Sequence, residues 1–349
     1  MSKATIDDVA SLAGVSIKTV SRVINGEPNV RESTRERVTR AIATLHYSPR
    51  LSARSLASHR SHLLVLVYDD PSVYDAPSSG FVIRMQQGML RACQARGYEL
   101  LIHPCDYRSR KLRGELEQLI RQARPHGMVL AAPLSNMPRI IDAVASTGTP
   151  CVRVSPGTTP RKGFAVSTND REISAEMTRY LASLGHRRIG FVNGNPLHKA
   201  VAQRVLGYRD GLAESGLEYA ESLVVAGNNS LASGEAGAER LLASRVRPTA
   251  IFAANDDMAA GVVRVAHRLG LAIPGDLSVA GFDDNALARH LYPTLTTVRQ
   301  PLDAMTERAA LALIGESRRD VLADGLEVVP STLQIRESTG PAPARAARR

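Results

Sequence analysis

The stretch Thr5-Ile6-Asp7-Asp8-Val9-Ala10-Ser11-Leu12-Ala13-Gly14-Val15-Ser16-Ile17-Lys18-Thr19-Val20-Ser21-Arg22-Val23-Ile24-Asn25 reads as two short helices joined by a tight turn. Thr5 and Asp8 have the spacing of a capping box that opens the first helix. Val9, Ala10 and Ala13 recur at helical spacing and give it one apolar face. Gly14 is a natural stop, because glycine tolerates positive φ, and Ser16 suits the N-cap of the second helix. Val20, Val23 and Ile24 form the buried stripe of that helix, while Ile17, Lys18, Ser21 and Arg22 occupy its other face. One apolar side and one side of short polar and basic groups suit insertion into a DNA major groove. Taken alone, the pattern also fits a helical hairpin whose polar face is merely solvated.

Outward from this motif, a loop with Gly26, Pro28 and Asn29 leads to a third helix from about Glu32 to Leu45, whose Val38, Ile42 and Leu45 close a three-helix core. Residues 1–60 hold ten Lys or Arg against five Asp or Glu, half of the chain's net charge of +10 on about a sixth of its 349 residues. Basic charge concentrated there points to a polyanionic partner. Arg50–His59 follows, short and rich in Ser and Ala, a marginal helix by itself.

From Leu63 the texture changes to strands alternating with helices. Apolar strands at Leu63–Tyr68, Gly97–His103, Gly127–Ala132, Pro150–Ser155, Arg188–Asn193, Leu223–Ala226, Ala250–Ala253 and Ser278–Phe282 are separated by helical patterns. Near-continuous apolar strands in such alternation imply parallel sheets covered on both faces, and so many units imply two doubly wound halves. Ligands bind such folds at the carboxyl ends of strands, in the crevice between lobes. Cys93, Cys105 and Cys151 are few, odd in number and far apart, which fits a reducing cytoplasm and neither a disulfide framework nor a metal site. The N-terminus has no apolar signal segment, and no apolar run approaches membrane-spanning length, so a secreted or membrane-embedded protein is not expected. There is no G-x-S-x-G elbow, phosphate-binding G-x-x-x-x-G-K-[ST] loop, G-x-G-x-x-G after a strand or H-E-x-x-H, so no enzyme and no cofactor are expected.

The opening stretch resembles the headpiece of the LacI/GalR repressor family, residue type by residue type, as T-I-x-D-V-A-x-x-A-G-V-S-x-x-T-V-S-R-V-I-N. The body is similar to the periplasmic sugar-binding-protein fold that serves as the effector domain of that family. The landmarks are Leu184-Gly-His-Arg-Arg-Ile-Gly190, Arg204-x-x-Gly207-Tyr208, Ala254-Asn255-Asp256-x-Met258, Ile273–Asp283 and Leu295-Thr-Thr-Val-x-Gln300. The resemblance covers residues 4 to about 336. It implies an N-terminal all-α helix-turn-helix headpiece over 1–47, a hinge helix or linker over 48–60 and an α/β two-lobed effector and dimerisation domain over 61–336. With three crossings between lobes, one lobe would hold about 61–166 and 297–330 and the other about 167–296. Residues 337–349, ending Gly340-Pro-Ala-Pro-Ala-Arg-Ala-Ala-Arg-Arg349, read as a disordered basic tail.

By this resemblance Ile17, Lys18 and Arg22 are the base-reading positions. Lys18 and Arg22 can donate to guanine O6 and N7, and Ile17 can offer apolar contact to a thymine methyl. Ser16, Thr19, Ser21 and Asn25 suit phosphate contacts, and Thr5 joins the DNA-contacting set. Ala53-Arg54-Ser55-Leu56 matches the hinge pattern, with Leu56 as a minor-groove wedge that kinks the operator centre. The effector positions are Phe81, Arg204, Asn255 and Asp283, a ring plane, a charged partner, an amide and a carboxylate suited to a polyol. Asp69-Asp70-Pro71, after the first strand, with Asp70 as its site residue, and Ser155, at the end of another, are further wall candidates. Two departures stand out. Asn169-Asp170 replaces the family's Asp-then-Asn order, and the chain has no tryptophan, so Phe81, Tyr208 or Phe282 would supply any stacking.

The expectation is a cytoplasmic, nucleoid-associated, homodimeric repressor that binds a palindromic operator and responds to a small molecule, a sugar or glycoside inducer. A corepressor-type response to another metabolite and a solute-binding receptor are the alternatives. The Pro-Ala tail shows no leucine heptad, which favours a dimer over a tetramer.

Overall fold

The computed structural model describes residues 4–24, 27–47, 61–70, 80–157, 163–244, 247–315 and 324–343. It divides into two units, residues 1–62 and 63–349.

In the first unit, α1 (Ile6–Ala13), α2 (Ile17–Ile24) and α3 (Glu32–Thr44) surround a core of Val9, Ala10, Ala13, Val20, Val23, Val38 and Ala41. Both halves of the expected capping box form. The Thr5 N–H donates to Asp8 Oδ2 at 2.7 Å, and the Asp8 N–H donates to Thr5 Oγ1 at 3.3 Å. Gly14 ends α1 in the left-handed region at φ 60°, where a Cβ would be strained. The Thr19 N–H donates to Ser16 Oγ at 3.2 Å, the capping role the sequence assigns to Ser16.

The second unit contains two six-stranded sheets. The first runs in the order β11 (Gly325–Val328), β5 (Phe164–Ser167), β4 (Cys151–Val154), β3 (Gly127–Leu130), β1 (Leu63–Asp69), β2 (Glu99–Cys105), all parallel. The second runs β12 (Thr332–Gln334), β10 (Thr296–Arg299), β9 (Ser278–Asp283), β8 (Ala250–Ala253), β6 (Ile189–Val192), β7 (Val224–Val225). It is parallel except at its edge, where β12 runs antiparallel to β10. The sheets are thus mainly parallel, as expected, with one antiparallel edge where the chain enters β12 from the other lobe. Leu64 to Val67 are fully buried in succession, as a strand covered on both faces requires.

Helices α4 (Gly80–Arg96), α5 (Leu112–Ala123), α6 (Pro138–Ser146) and α12 (Leu302–Ile314) belong with the first sheet. Helices α7 (Asp170–Ser183), α8 (Lys199–Glu214), α9 (Leu231–Leu242), α10 (Asp256–Arg268) and the short α11 (Ala286–His290) belong with the second. A Cβ built on Gly207 would lie 2.0 Å from the Arg171 carbonyl oxygen, so α7 and α8 pack at a distance only glycine permits. Cys93 and Cys105 are buried, and burial pushes their thiols up to about 11 and about 12 respectively.

The chain passes between the sheets near 168–169, 300–301 and 329–331. Two expected boundaries shift. Thr297–Arg299 pair with β9 in the second sheet, so that crossing falls after 299 rather than before 297. Residues 337–343 are not a free tail. Ser338 Oγ accepts from the Thr296 N–H at 2.8 Å and donates to the Val279 carbonyl at 2.6 Å, and the Ala342 N–H donates to the Leu184 carbonyl at 2.8 Å. Low-complexity composition hid a segment whose backbone groups find partners along β9 and β10; residues 344–349 lie outside the described residues.

Candidate functional site

In the headpiece, α2 turns Val20 and Val23 into the core, which leaves Ile17, Lys18 and Arg22 exposed on its other side. Ile17 keeps 46% of its surface open. Arg22 Nε lies 3.4 Å from Glu27 Oε2 in an exposed pair, a contact weak enough to be exchanged for another partner. Thr5, Ser16 and Thr19 are engaged locally: Thr5 Oγ1 donates to Asp8 Oδ2 at 2.7 Å, and the Ser16 and Thr19 hydroxyls lie 2.9 Å apart. The hydrogen bonds from Thr5 hold the Asp8 carboxyl below its ordinary value. Ser21 is half-buried. Asn25, Ala53 and Leu56, and with them the hinge segment, lie outside the described residues.

In the second unit a cavity of about 620 Å³ opens between the lobes at the carboxyl ends of the strands, the place doubly wound sheets reserve for ligands. Its volume is typical of small-molecule sites, which span about 300–1,000 Å³. Phe81, Ser155, Arg204, Asn255 and Asp283 all line it. Asp70 does not. Its backbone N–H donates to the Cys105 carbonyl at 2.9 Å, which extends the sheet, and its neighbour Asp69 lines the cavity instead. The alternation of faces along an extended chain explains the swap: one residue of register moves a side chain to the other side. Tyr208 and Phe282 do not stack in the cavity either. Tyr208 is fully buried and donates to the Ile189 carbonyl, and Phe282 lies beneath Arg204, 3.7 Å from its guanidinium carbon. The aromatic rings on the wall are those of Tyr68, Phe81 and Tyr107.

Arg204 is the anchor of the second lobe. Its Nε donates to Asp170 Oδ1 at 2.9 Å and its Nη1 to the Ala254 carbonyl at 2.6 Å, with the Phe282 ring closing one face. Asn169-Asp170, the pair in unusual order, thus divides two tasks. Asp170 holds Arg204, while Asn169 Oδ1 accepts from the Ser331 N–H at 2.8 Å and links two of the crossings. Burial raises the Asp170 carboxyl, and Arg204 pulls the other way. Asn255 caps α10, its Oδ1 accepting from the Met258 N–H at 2.9 Å and its Nδ2 donating to the Asn229 carbonyl at 2.9 Å.

Asp283 sits at φ 117°, an unfavourable angle for a side-chain-bearing residue. The turn is held from both sides. Asp256 accepts from the Asn285 N–H at 2.9 Å and from Thr297 Oγ1 at 2.6 Å. The buried Asp284 receives Arg299 Nε at 2.6 Å and Arg336 Nη2 at 2.5 Å. Gln300 Nε2 donates to Asp283 Oδ1 at 2.5 Å. Burial pushes the Asp283 carboxyl up to about 7 against the opposing pull of Arg204. His198, on the same wall, is pushed down to about 4 by burial, with the Arg204 charge acting in the same direction, so it is neutral at physiological pH. The lobes touch across the cleft: Asn195 Nδ2 donates to the Tyr107 hydroxyl at 3.4 Å, and Arg84 Nη1 donates to the Asp283 carbonyl at 3.1 Å.

Sequence reasoning missed Tyr107, Asn195, His198 and Asp257 on this wall. Asp257 is within reach of such reasoning, because it stands four residues after the carboxyl end of β8. Tyr107, Asn195 and His198 lie in loops with no local pattern to mark them. Among the described residues no cluster of His, Cys, Asp and Glu is arranged to hold a metal, and no helix is long and apolar enough to cross a membrane.

Residues 5–50 match the family described as bacterial regulatory proteins, lacI family, and residues 178–339 match a periplasmic binding protein-like domain. The chain belongs to the lacI family of bacterial regulatory proteins: DNA-binding transcriptional regulators built from a helix-turn-helix and a two-lobed α/β domain. Among its relatives, the HTH-type transcriptional regulator GalR of Salmonella typhimurium (strain LT2) is 36% identical over 321 residues, 90% of each chain. The ribose operon repressor of Escherichia coli (strain K12) is 33% identical over 312 residues, 89% of this chain and 92% of that one. Among solved structures, the transcriptional regulator CelR in complex with cellobiose superposes with a TM-score of 0.72 at 30% identity, covering 96% of this chain and 99% of the other.

Proposed function

We propose that this chain is a repressor that binds a palindromic operator as a homodimer and releases it when a sugar or glycoside enters the cleft between its lobes. The observation that carries this reading is the pairing, in one chain, of an exposed Ile17–Lys18–Arg22 face with a cavity of about 620 Å³. A groove-reading face alone describes a constitutive DNA binder, and a cleft alone describes a receptor. Lys18 and Arg22 read guanines, Ile17 contacts a thymine methyl, and Thr5, Ser16, Thr19, Ser21 and Asn25 approach phosphates. Ala53 and Leu56 from each protomer enter the minor groove at the operator centre.

In the cleft, Arg204, Asn255 and Asp283 supply polar contacts, Phe81 a ring plane and Ser155 a hydroxyl. Ligand names carried by relatives, ribose and cellobiose, favour a carbohydrate. The chain regulates rather than catalyses, and it acts in the cytoplasm, at the nucleoid. The test is fluorescence anisotropy of the purified protein with DNA flanking its own gene, repeated with a sugar panel. The expected result is salt-sensitive binding at a dissociation constant of about 10⁻⁸–10⁻¹¹ M, weakened by one sugar that is recovered unchanged. Absence of salt-sensitive binding to any such segment refutes the reading.

A further inference from the structure

One acidic side chain on the cavity wall, Asp257, lacks a partner among the described residues. The two arginines of the wall are already paired: Arg204 with Asp170 at 2.9 Å, and Arg108 with Asp106, Nε to Oδ1 at 3.1 Å. His198 is neutral. Against them stand three carboxylates that line the cavity, Asp69, Asp257 and Asp283. Asp69 Oδ1 accepts from the Tyr107 N–H at 3.2 Å, and Asp283 Oδ1 accepts from Gln300. Asp257 makes no hydrogen bond or ion pair among the described residues, although it is half-buried in the first turn of α10. Burial raises it, and no neighbouring cation offsets that shift. A half-buried carboxylate without a side-chain partner is only partly solvated, and a bound cation would compensate it further. A second wall group is also waiting for a partner. Ser155 is only 4% exposed, and its hydroxyl is buried with no hydrogen-bond partner.

We infer that the ligand of this cleft carries a protonated amine, as an amino sugar does, with Asp257 receiving the ammonium group and Ser155 a neighbouring hydroxyl. This inference rests on the reading of the cleft as a carbohydrate site. A neutral sugar satisfies Arg204, Asn255 and Asp283 through its hydroxyls but leaves the Asp257 charge uncompensated. An ammonium replacing one hydroxyl compensates it and makes a charge-assisted hydrogen bond. Phe81, half-buried on the wall, is placed to cover the ring.

The experiment is calorimetric titration of the full chain with two matched pairs of probes, glucosamine against glucose and the β-1,4-linked glucosamine dimer against cellobiose. The difference is ammonium for hydroxyl at one position in the first pair and at two in the second. The expected result is that an amino member binds about tenfold tighter or more than its neutral partner, and that Asp257→Asn abolishes this preference. Asp257→Ser, which removes the carboxylate by a different shape change, is expected to do the same; circular dichroism melts establish that both variants are folded. Equal or tighter binding of the neutral members, a preference that survives in both variants, or no binding of either amino sugar overturns the inference. Tight binding of a neutral sugar leaves the repressor reading standing, whereas failure of the unliganded protein to bind DNA refutes that reading whatever the sugars do.

Discussion

The perturbation that tests the cleft most directly is Asp170→Asn. The Asp170–Arg204 pair is 2.9 Å long, and its side chains are 2% and 8% exposed. At that separation the Coulomb attraction is about 6 kcal/mol with an effective dielectric of 20. Removing the charge also removes the desolvation cost that raises the Asp170 carboxyl, and asparagine can still accept from Arg204 Nε. The net loss is therefore smaller, about 3 kcal/mol, the low end for breaking one side of a buried pair. In a unit of this size that lowers the midpoint of thermal unfolding by about 6 °C. The assay is urea unfolding followed by circular dichroism. It is repeated on Asp170→Asn/Arg204→Met, in which the orphaned charge is gone and an unbranched apolar chain can lie over Phe282. The double variant is expected to recover most of the loss, because the cost arises from the unpaired guanidinium rather than from the missing bond. If Asp170→Asn unfolds within about 0.5 kcal/mol of the parent, or the double variant is no better than the single one, the reasoning is wrong.

Asp283 gives the second test. Its folded value of about 7 lies above the ordinary 3.8, so the folded state binds the proton more tightly than the unfolded one. Its contribution is complete below about pH 4 and is lost as pH rises through about 7. Asp283→Asn should flatten the decline in unfolding free energy across that window; an unchanged slope refutes the assignment. In the headpiece, Thr5→Ala removes one half of the capping box and should cost about 1 kcal/mol in the melting of that unit. Lys18→Ala and Arg22→Ala should each relax base preference at particular operator positions, by about 1–3 kcal/mol, and leave ligand titrations unchanged. Systematic operator substitutions at one fixed salt concentration measure this, and a uniform loss at all positions would assign these side chains to phosphates instead.

Much of the architecture is legible in residues 5–24 and in the apolar strands, because both signals are local. Capping, the glycine stop and helical spacing decide α1 and α2 within a few residues. Leu64–Val67 announces a doubly covered strand by composition alone. The misses are of another kind. The edge strand β12 and the folded segment after it depend on partners far along the chain, such as Val279 and Thr296, and their own composition says nothing of those partners. In the cleft, Asn255 and Asp283 stand where a motif meets a strand end, whereas Arg204, inside α8, is marked by its motif alone. Asp69 and Asp70 stand together at the end of β1, and adjacency to a strand does not reveal which of the two faces the cleft. Asp257 carries only the signal of its place after β8, beside Asn255 and Asp256.

The two strongest anchors of the cleft are each tied to a crossing between the lobes. Asp283 accepts from Gln300, which stands at the second crossing. Arg204 is held by Asp170, directly after the first, where Thr168 Oγ1 lies 2.5 Å from Ser331 Oγ of the third. Asp283 also meets the first lobe through Arg84, which bonds its carbonyl and Asp303 of α12 at the same time. A ligand that competes for the Asp283 carboxylate therefore draws on the Gln300 bond. One that reorients Arg204 draws on Asp170 and, through Asn169, on Ser331. Occupancy of the cleft and the relative placement of the lobes share the same hydrogen bonds, so a change in one has a free-energy consequence for the other. Such an arrangement lets a ligand of modest size act on a domain of nearly 300 residues. It needs only a few bonds at the crossings, provided the ligand meets both Arg204 and Asp283.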